Sequence, residues 1–323
     1  MRLHEVLHHE HAPGALDAIT DVSGVRVGHT TVSAGSLQTG VTAVLPPALP
    51  TPAGLFVGNG HGKLVGATQL TELGTLETPI LLTGTLSTFR VADALVSWLM
   101  EHDPSLRSVN PVVGECNDGW LSDIRARPVT AEHVYGALTD ASTGPVAQGN
   151  VGAGTGMCAL GFKGGIGTAS RRAGDVTVGV LVQSNFDGRL RFGPRYVDPP
   201  APEPVARAGN SCMILVATDA ALDARQLCRV ARRAVFGLAR VGAGFTHGSG
   251  DYAIAFSTGP GPQIADADLS PLFAATMEAT EAAVLKSLLA AETMTGFRGR
   301  TVRALTDAHP DLMDELSIHT AAL

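Results

Sequence analysis

Ser211-Cys212-Met213-Ile214-Leu215-Val216-Ala217-Thr218 is the stretch whose reading decides the fold. It is a short apolar run of strand length without polar alternation, the pattern of a strand buried on both faces of a layered structure. The segment ahead of it, Phe192–Arg207, holds Pro194, Pro199, Pro200, Pro202 and Pro204. A chain with that many fixed φ angles and missing N–H donors neither runs through a sheet interior nor continues a helix, so an exposed loop is expected there. Ser211 therefore opens a central strand directly after a proline-rich loop.

Outward from this strand, Gly40–Leu45, Pro79–Leu82, Val176–Val182 and Tyr252–Ser257 read as further strands set between Gly, Pro and Thr clusters. Helices are predicted over Ser87–His102, where Phe89, Ala92, Leu95, Val96 and Leu99 recur at helical spacing behind a Ser N-cap, and over Leu269–Ala291. Leu227, Val230, Ala231, Ala234, Val235 and Leu238 form a third helical stripe that stops before Gly242 and Gly244. Strands alternating with helices imply a layered α/β fold with helices covering packed sheets, and the pattern leaves the sheet order open. There is no tandem repeat.

Composition narrows the function. In 323 residues, 45% are hydrophobic and 16% charged, a globular balance with enough apolar material for a large core. The net charge of −7 comes without basic runs, so no nucleic-acid partner is expected. The scattered Cys116, Cys158, Cys212 and Cys228 form no Cys-x-x-Cys pair, which points to a reducing compartment and to neither zinc nor a disulfide framework. Without a signal-like or membrane-length apolar run, a soluble cytoplasmic protein with no membrane partner is expected. The 38 glycines and 5% aromatic residues suggest many tight turns and close backbone contacts.

Three motif matches fail on inspection. His4-Glu5-Val6-Leu7-His8 has the spacing of a zinc protease helix, but it lies at the terminus without an apolar frame and crowds against His9 and His11; a frayed polar terminus and no metal are expected. Gly58-Asn59-Gly60-His61-Gly62-Lys63 is followed by Leu64, where a phosphate loop needs Ser or Thr. Gly152-Ala153-Gly154-Thr155-Gly156 lacks the third dinucleotide glycine and reads as a tight turn or pocket wall. No cofactor is expected.

Asn210-Ser211 alone says little, and its position sharpens it. A hydroxyl on the first residue of a rigid strand can attack the preceding carbonyl and shift the acyl group from nitrogen to oxygen. Hydrolysis then frees an α-amine with a reference pKa of about 7.7–8.0, able to act as base for its own hydroxyl near neutral pH. Cys116 and Cys212 flank the region without a neighbouring His and are assigned to packing.

Several runs occur in the order found in one family: Val112-Val113-Gly114-Glu115-Cys116-Asn117-Asp118-Gly119, Gly152–Met157, Gly161–Ser170, Asn210-Ser211 with Val216–Ala220, and His247-Gly248-Ser249-Gly250-Asp251. With the opening Ile19–His29, the chain resembles the DmpA-type aminopeptidases over roughly Ile19 to Thr258. These are self-cleaving N-terminal-nucleophile hydrolases that include L-aminopeptidase/D-amidases, β-peptidyl aminopeptidases and nylon-oligomer hydrolase relatives.

The resemblance implies an αββα sandwich of the DmpA/ornithine acetyltransferase type, built as one catalytic domain over 1–323 and processed into 1–210 and 211–323. It implies Ser211 as nucleophile, Asn210 as the residue whose carbonyl is released on processing, and Ser249 with Asp251 as the pair that positions the nucleophile's amine. Asn185 matches the oxyanion donor, and Glu115 the carboxylate that holds a substrate's free ammonium. Asn117 stands where such peptidases can carry an aromatic hydroxyl, which leaves substrate choice open. Implied substrates are short peptides or amides with a free amino terminus, including β-peptides and ω-amino-acid oligomers. A homotetramer of processed pairs is also implied. Two alternatives remain: an ornithine acetyltransferase-like acyltransferase, disfavoured by Ser in place of Thr and by Glu115, and an unprocessed homologue without catalysis.

Overall fold

A computed structural model describes residues 3–199 and 210–312. In chain order its main elements begin with β1 (Arg26–Ala34), β2 (Leu37–Leu45), β3 (Thr51–Gly60), β4 (Ile80–Gly84), α1 (Thr88–His102), β5 (Val112–Cys116) and α2 (Ala131–Asp140). They continue with β6 (Gly165–Ala173), β7 (Val176–Asn185), β8 (Asn210–Thr218), α3 (Ala224–Arg240), β9 (Ser249–Ser257) and α4 (Ser270–Leu289). One sheet runs β1-β2-β4-β5 and ends on the short strand Leu64–Val65; the other runs β6-β7-β8-β9-β3 and ends on Thr75–Leu76. Within the second sheet β8 is antiparallel to β7 and parallel to β9.

Alternation along β8 explains the layering. Met213, Leu215 and Ala217 enter the core between the two sheets, where they meet Val44, Ile80, Leu82 and Val112. Cys212, Ile214 and Val216 point the other way, onto Ala231, Ala234 and Val235 of α3 and Ala279, Ala282 and Ala283 of α4. The first sheet is covered on its outer face by Val91 and Leu95 of α1 and Val134, Ala137 and Leu138 of α2. The result is the expected αββα sandwich, with β8 apolar on both faces because both are buried. A one-residue slip of β8 would exchange its two faces, and full burial of each large apolar side chain contributes about 1.5–3 kcal/mol, so the register is firmly set.

Three sequence expectations need correction. In α1, Phe89 is exposed while Val91 and Ala94 join Ala92 and Leu95 inside, so the apolar stripe is rotated from the one read off the sequence. The proline-rich segment does not begin as an exposed loop: Arg191–Phe192 pairs with Arg195–Tyr196, and Phe192 and Val197 are buried; its remainder from Pro200 lies outside the described residues. The N-terminal segment is not frayed. Leu3–Val6 is a short helix, and His9 accepts at Nδ1 from Arg171 Nη2 at 2.8 Å while its Nε2 lies 3.1 Å from Glu281. Arg171 can only donate, so Nδ1 of His9 is the acceptor in that contact.

Candidate active site

Ser211 lies at the mouth of the central strand, where its register fixes its neighbours. Across β7 it faces Asn185, and across β9 it faces Gly250, with Asn210 opposite Ser249 and Cys212 opposite Asp251. Its side chain is 3% exposed, and its Oγ donates to the Asn210 carbonyl oxygen at 2.5 Å. The hydroxyl thus rests against the preceding peptide group. Asn210 is tethered in turn: Nδ2 donates to Thr246 Oγ1 at 3.1 Å, and that hydroxyl donates to Asp187 Oδ1 at 3.2 Å.

The strand expected over Tyr252–Ser257 begins earlier, so Ser249 and Asp251 are buried within the start of β9. Ser249 Oγ donates to Asp251 Oδ1 at 2.7 Å, and Oδ2 is buried without a hydrogen-bond partner among the described residues. Burial pushes the Asp251 carboxyl up, against the hydrogen bond from Ser249, and the charge of Asp187 adds to the rise. A backbone hydrogen bond from Cys212 opposes that rise, and among the described residues Oδ2 is a spare acceptor. Asn59, opposite Asp251 on β3, donates from Nδ2 to the carbonyls of Thr246, His247 and Ser249 and so ties the loop before β9 to the sheet.

Asn185 closes the other flank. Its Oδ1 accepts from the Cys158 N–H at 3.0 Å, and its Nδ2 donates to the Asn117 carbonyl at 3.1 Å. Asn117 uses its own side-chain oxygen in a local turn, accepting from the Gly119 N–H at 2.9 Å. Its side chain still lines the cleft, but its backbone is what holds Asn185.

Glu115 ends β5 and is 2% exposed. Its Oε1 accepts from the Lys63 N–H at 2.9 Å and faces Lys63 Nζ at 3.3 Å, whereas Oε2 is buried without a partner among the described residues. Two glycines make this approach possible. A Cβ on Gly62 would lie 3.0 Å from Tyr252 Cε2 and 3.3 Å from both Glu115 Oε1 and Gly250 Cα, closer than side chains normally pack.

A cleft of about 490 Å³ is lined by His61, Lys63, Thr85, Glu115, Asn117, Asp187, Asn210, Ser211, Thr246 and Gly248; Asn185, Ser249 and Asp251 flank Ser211 through the sheet and are not among the lining residues. A hydroxyl at a strand end, a nearby side-chain amide, a buried hydroxyl–carboxylate pair and a second carboxylate with one open oxygen could together support acyl transfer from a cationic substrate. Lys63, Thr85, Asn59, Asp187 and Thr246 went unnoticed in the sequence. The signal for the first was the glycine-rich run Gly58–Lys63, which failed as a phosphate loop and proves to carry Lys63 to Glu115. The other glycine run forms a buried tight turn at Gly152–Gly154. Cys116 and Cys212 are buried thiols whose pKa values are raised by desolvation, which agrees with packing rather than nucleophilic roles.

The profile of peptidase family S58 matches residues 17–302. The β-peptidyl aminopeptidase BapA of Sphingosinicella microcystinivorans is 38% identical, over 92% of this chain and 87% of that protein. The solved structure of a Burkholderia sp. β-aminopeptidase is 39% identical, with a TM-score of 0.88 over 98% of this chain and 99% of that one. The L-aminopeptidase D-Ala-esterase/amidase of Ochrobactrum anthropi, described as a variant of the Ntn hydrolase fold, is 32% identical, with a TM-score of 0.86 over 98% of this chain and 97% of that one.

Proposed function

The chain belongs to peptidase family S58 and is an aminopeptidase with an N-terminal-nucleophile hydrolase fold, and from that premise we propose that it cuts itself between Asn210 and Ser211 and then hydrolyses short peptides and amides that carry a free amine, β-peptides among them. The observation that carries this reading is the Ser211 hydroxyl 2.5 Å from the Asn210 carbonyl oxygen, in the cleft that also holds Glu115. In processing, Ser211 Oγ attacks the Asn210 carbonyl carbon and the C–N bond gives way to an ester, which water hydrolyses to release residues 1–210 from 211–323. The new α-amine would be oriented by Asp251, which pairs with Cys212 in the next strand and whose buried Oδ2 can accept from it. As a neutral amine it can donate an N–H to that oxygen and keep its lone pair for the Ser211 hydroxyl.

In turnover the amine takes the proton of Ser211 Oγ as the oxygen attacks the scissile carbonyl, and Ser249 and Asp251 hold it in position. Asn185 donates to the developing oxyanion; such donors typically contribute about 10²–10³ in rate. The amine then protonates the leaving nitrogen, and water cleaves the acyl-serine ester. Glu115 Oε2 receives the substrate ammonium, which makes a free amine a requirement. Both names of the β-aminopeptidase relatives support β-peptides as substrates. Acyl transfer to another amine is disfavoured because the cleft already commits a carboxylate to a substrate cation.

We further propose that the processed pairs assemble as a homotetramer in the cytoplasm, where the four free thiols would stay reduced. Among the described residues no helix is long and apolar enough to cross a membrane. The test of function is a panel of amino-acid amides and β-alanyl peptides offered with free and with acetylated amines. Hydrolysis confined to the free-amine set is expected; equal rates on both would overturn the assignment of Glu115. Light scattering that finds a monomer would overturn the tetramer.

A further inference from the structure

A carboxylate that only has to receive an ammonium needs no lysine beside it, yet Lys63 is held there from both ends. Its backbone N–H bonds to Glu115 Oε1 at 2.9 Å, and its Nζ donates to Thr85 Oγ1 at 2.7 Å while facing Glu115 Oε1 at 3.3 Å. The side chain is still 38% exposed and lines the cleft, and an ammonium has three donors, two of which these contacts occupy. The cleft therefore offers, side by side, a buried unpartnered carboxylate oxygen at Glu115 Oε2 and a cation with a donor to spare.

Charge decides what fits such a pair. A plain β-alanyl residue brings an ammonium to Glu115 and leaves two cations crowded around one carboxylate. The other acid of the cleft, Asp187, sits on the Asn210 side, where Thr246 Oγ1 donates to it at 3.2 Å. A residue that carries ammonium and carboxylate on one carbon presents the complement of the pair: its cation to Glu115 Oε2 and its anion to Lys63 Nζ. With the scissile carbonyl one methylene away, that residue is a β-linked aspartyl group, which is itself a β-amino-acid residue.

Resting on the aminopeptidase reading above, we propose that this cleft selects β-aspartyl peptides, with Lys63 as the residue that recognises the free carboxylate. The reaction is the same amide hydrolysis at Ser211 and needs no further reactant.

The matched probes are β-aspartyl-leucine and 3-aminobutanoyl-leucine, which differ by carboxylate against methyl on the amine-bearing carbon. The processed protein should hydrolyse the first with kcat/KM at least about tenfold higher. Lys63→Met should abolish or invert that ratio, and Lys63→Arg should keep it above one, because a cation remains. A lysine that merely holds Glu115 in place would lower both substrates alike and leave the ratio standing, which would overturn the proposal. So would a parent enzyme that cleaves 3-aminobutanoyl-leucine as well as or better than β-aspartyl-leucine, an outcome that leaves the aminopeptidase reading intact. Failure on both probes and on every free-amine amide would instead overturn that reading, and the β-aspartyl proposal with it.

Discussion

Replacing Glu115 with Gln separates substrate binding from self-processing. In the parent, Oε1 takes both Lys63 contacts and Oε2 is the buried open acceptor. Glutamine can keep its carbonyl on the Lys63 side, but it then turns an NH₂ toward the place where a substrate ammonium must sit. The lost interaction is a charge-assisted hydrogen bond in a desolvated site, about 1.5–3 kcal/mol. At about 1.4 kcal/mol per factor of ten, kcat/KM for free-amine substrates should fall roughly tenfold to a hundredfold. Self-cleavage should persist, because the Asn210-Ser211 bond lies within a chain and offers no free amine. The assay pairs steady-state kinetics on amide substrates with denaturing electrophoresis of the same preparation. A variant that no longer processes, or one that processes and hydrolyses free-amine amides at the parental rate, would refute the role given to Glu115.

Other perturbations probe the frame around the site. Thr246→Val removes the hydroxyl between Asn210 Nδ2 and Asp187, so self-cleavage should slow severalfold in a pulse-chase gel while the melting temperature stays near the parent's, the loop being exposed. Two buried groups tilt stability in opposite directions with pH. Burial pushes Asp118 up to about 6, so the folded state binds this proton more tightly than the unfolded one, and the contribution present at low pH is lost as pH rises through about 6. Burial lowers His29 to about 4, so its contribution is present above about 6.5 and is lost as pH falls toward 4. Urea melts between pH 4 and 6.5 should show stability rising more steeply with pH in Asp118→Asn and less steeply in His29→Asn, by about 2–3 kcal/mol across the window at 1.36 kcal/mol per pKa unit. Curves parallel to the parent's would show that neither group differs between the two states.

What the sequence made legible follows from where side-chain pattern and backbone chemistry coincide. Ser211–Thr218 could be read as a central strand because both faces are buried, which leaves an unbroken apolar run. Helices α3 and α4 were legible because their apolar residues outlast a turn. The stripe of α1 was misplaced because Phe89 is apolar and yet exposed, and hydrophobic type alone does not distinguish it from Val91. The N-terminal histidines were misread for the opposite reason: His9 and His11 look solvated until Arg171, Glu278 and Glu281, far along the chain, supply their partners. At the site, Glu115, Asn185, Ser249 and Asp251 were reachable only through motif resemblance, since a lone acid or amide carries no periodic signal. Thr246 and Asn59 stayed hidden because their roles arise from strand pairing, β3 with β9 and the loop before β9 with Asn210, which local sequence does not encode.

The central claim, that Ser211 cuts the bond before it and becomes the nucleophile, is tested most directly by intact mass measurement of the purified protein beside Ser211→Ala. Two fragments should be found for the parent, one ending at Asn210 and one beginning at Ser211 with a free amine, and a single inactive full-length chain for the variant. An active parent that remains one uncut chain, or a Ser211→Ala variant that still divides at this bond, would contradict it.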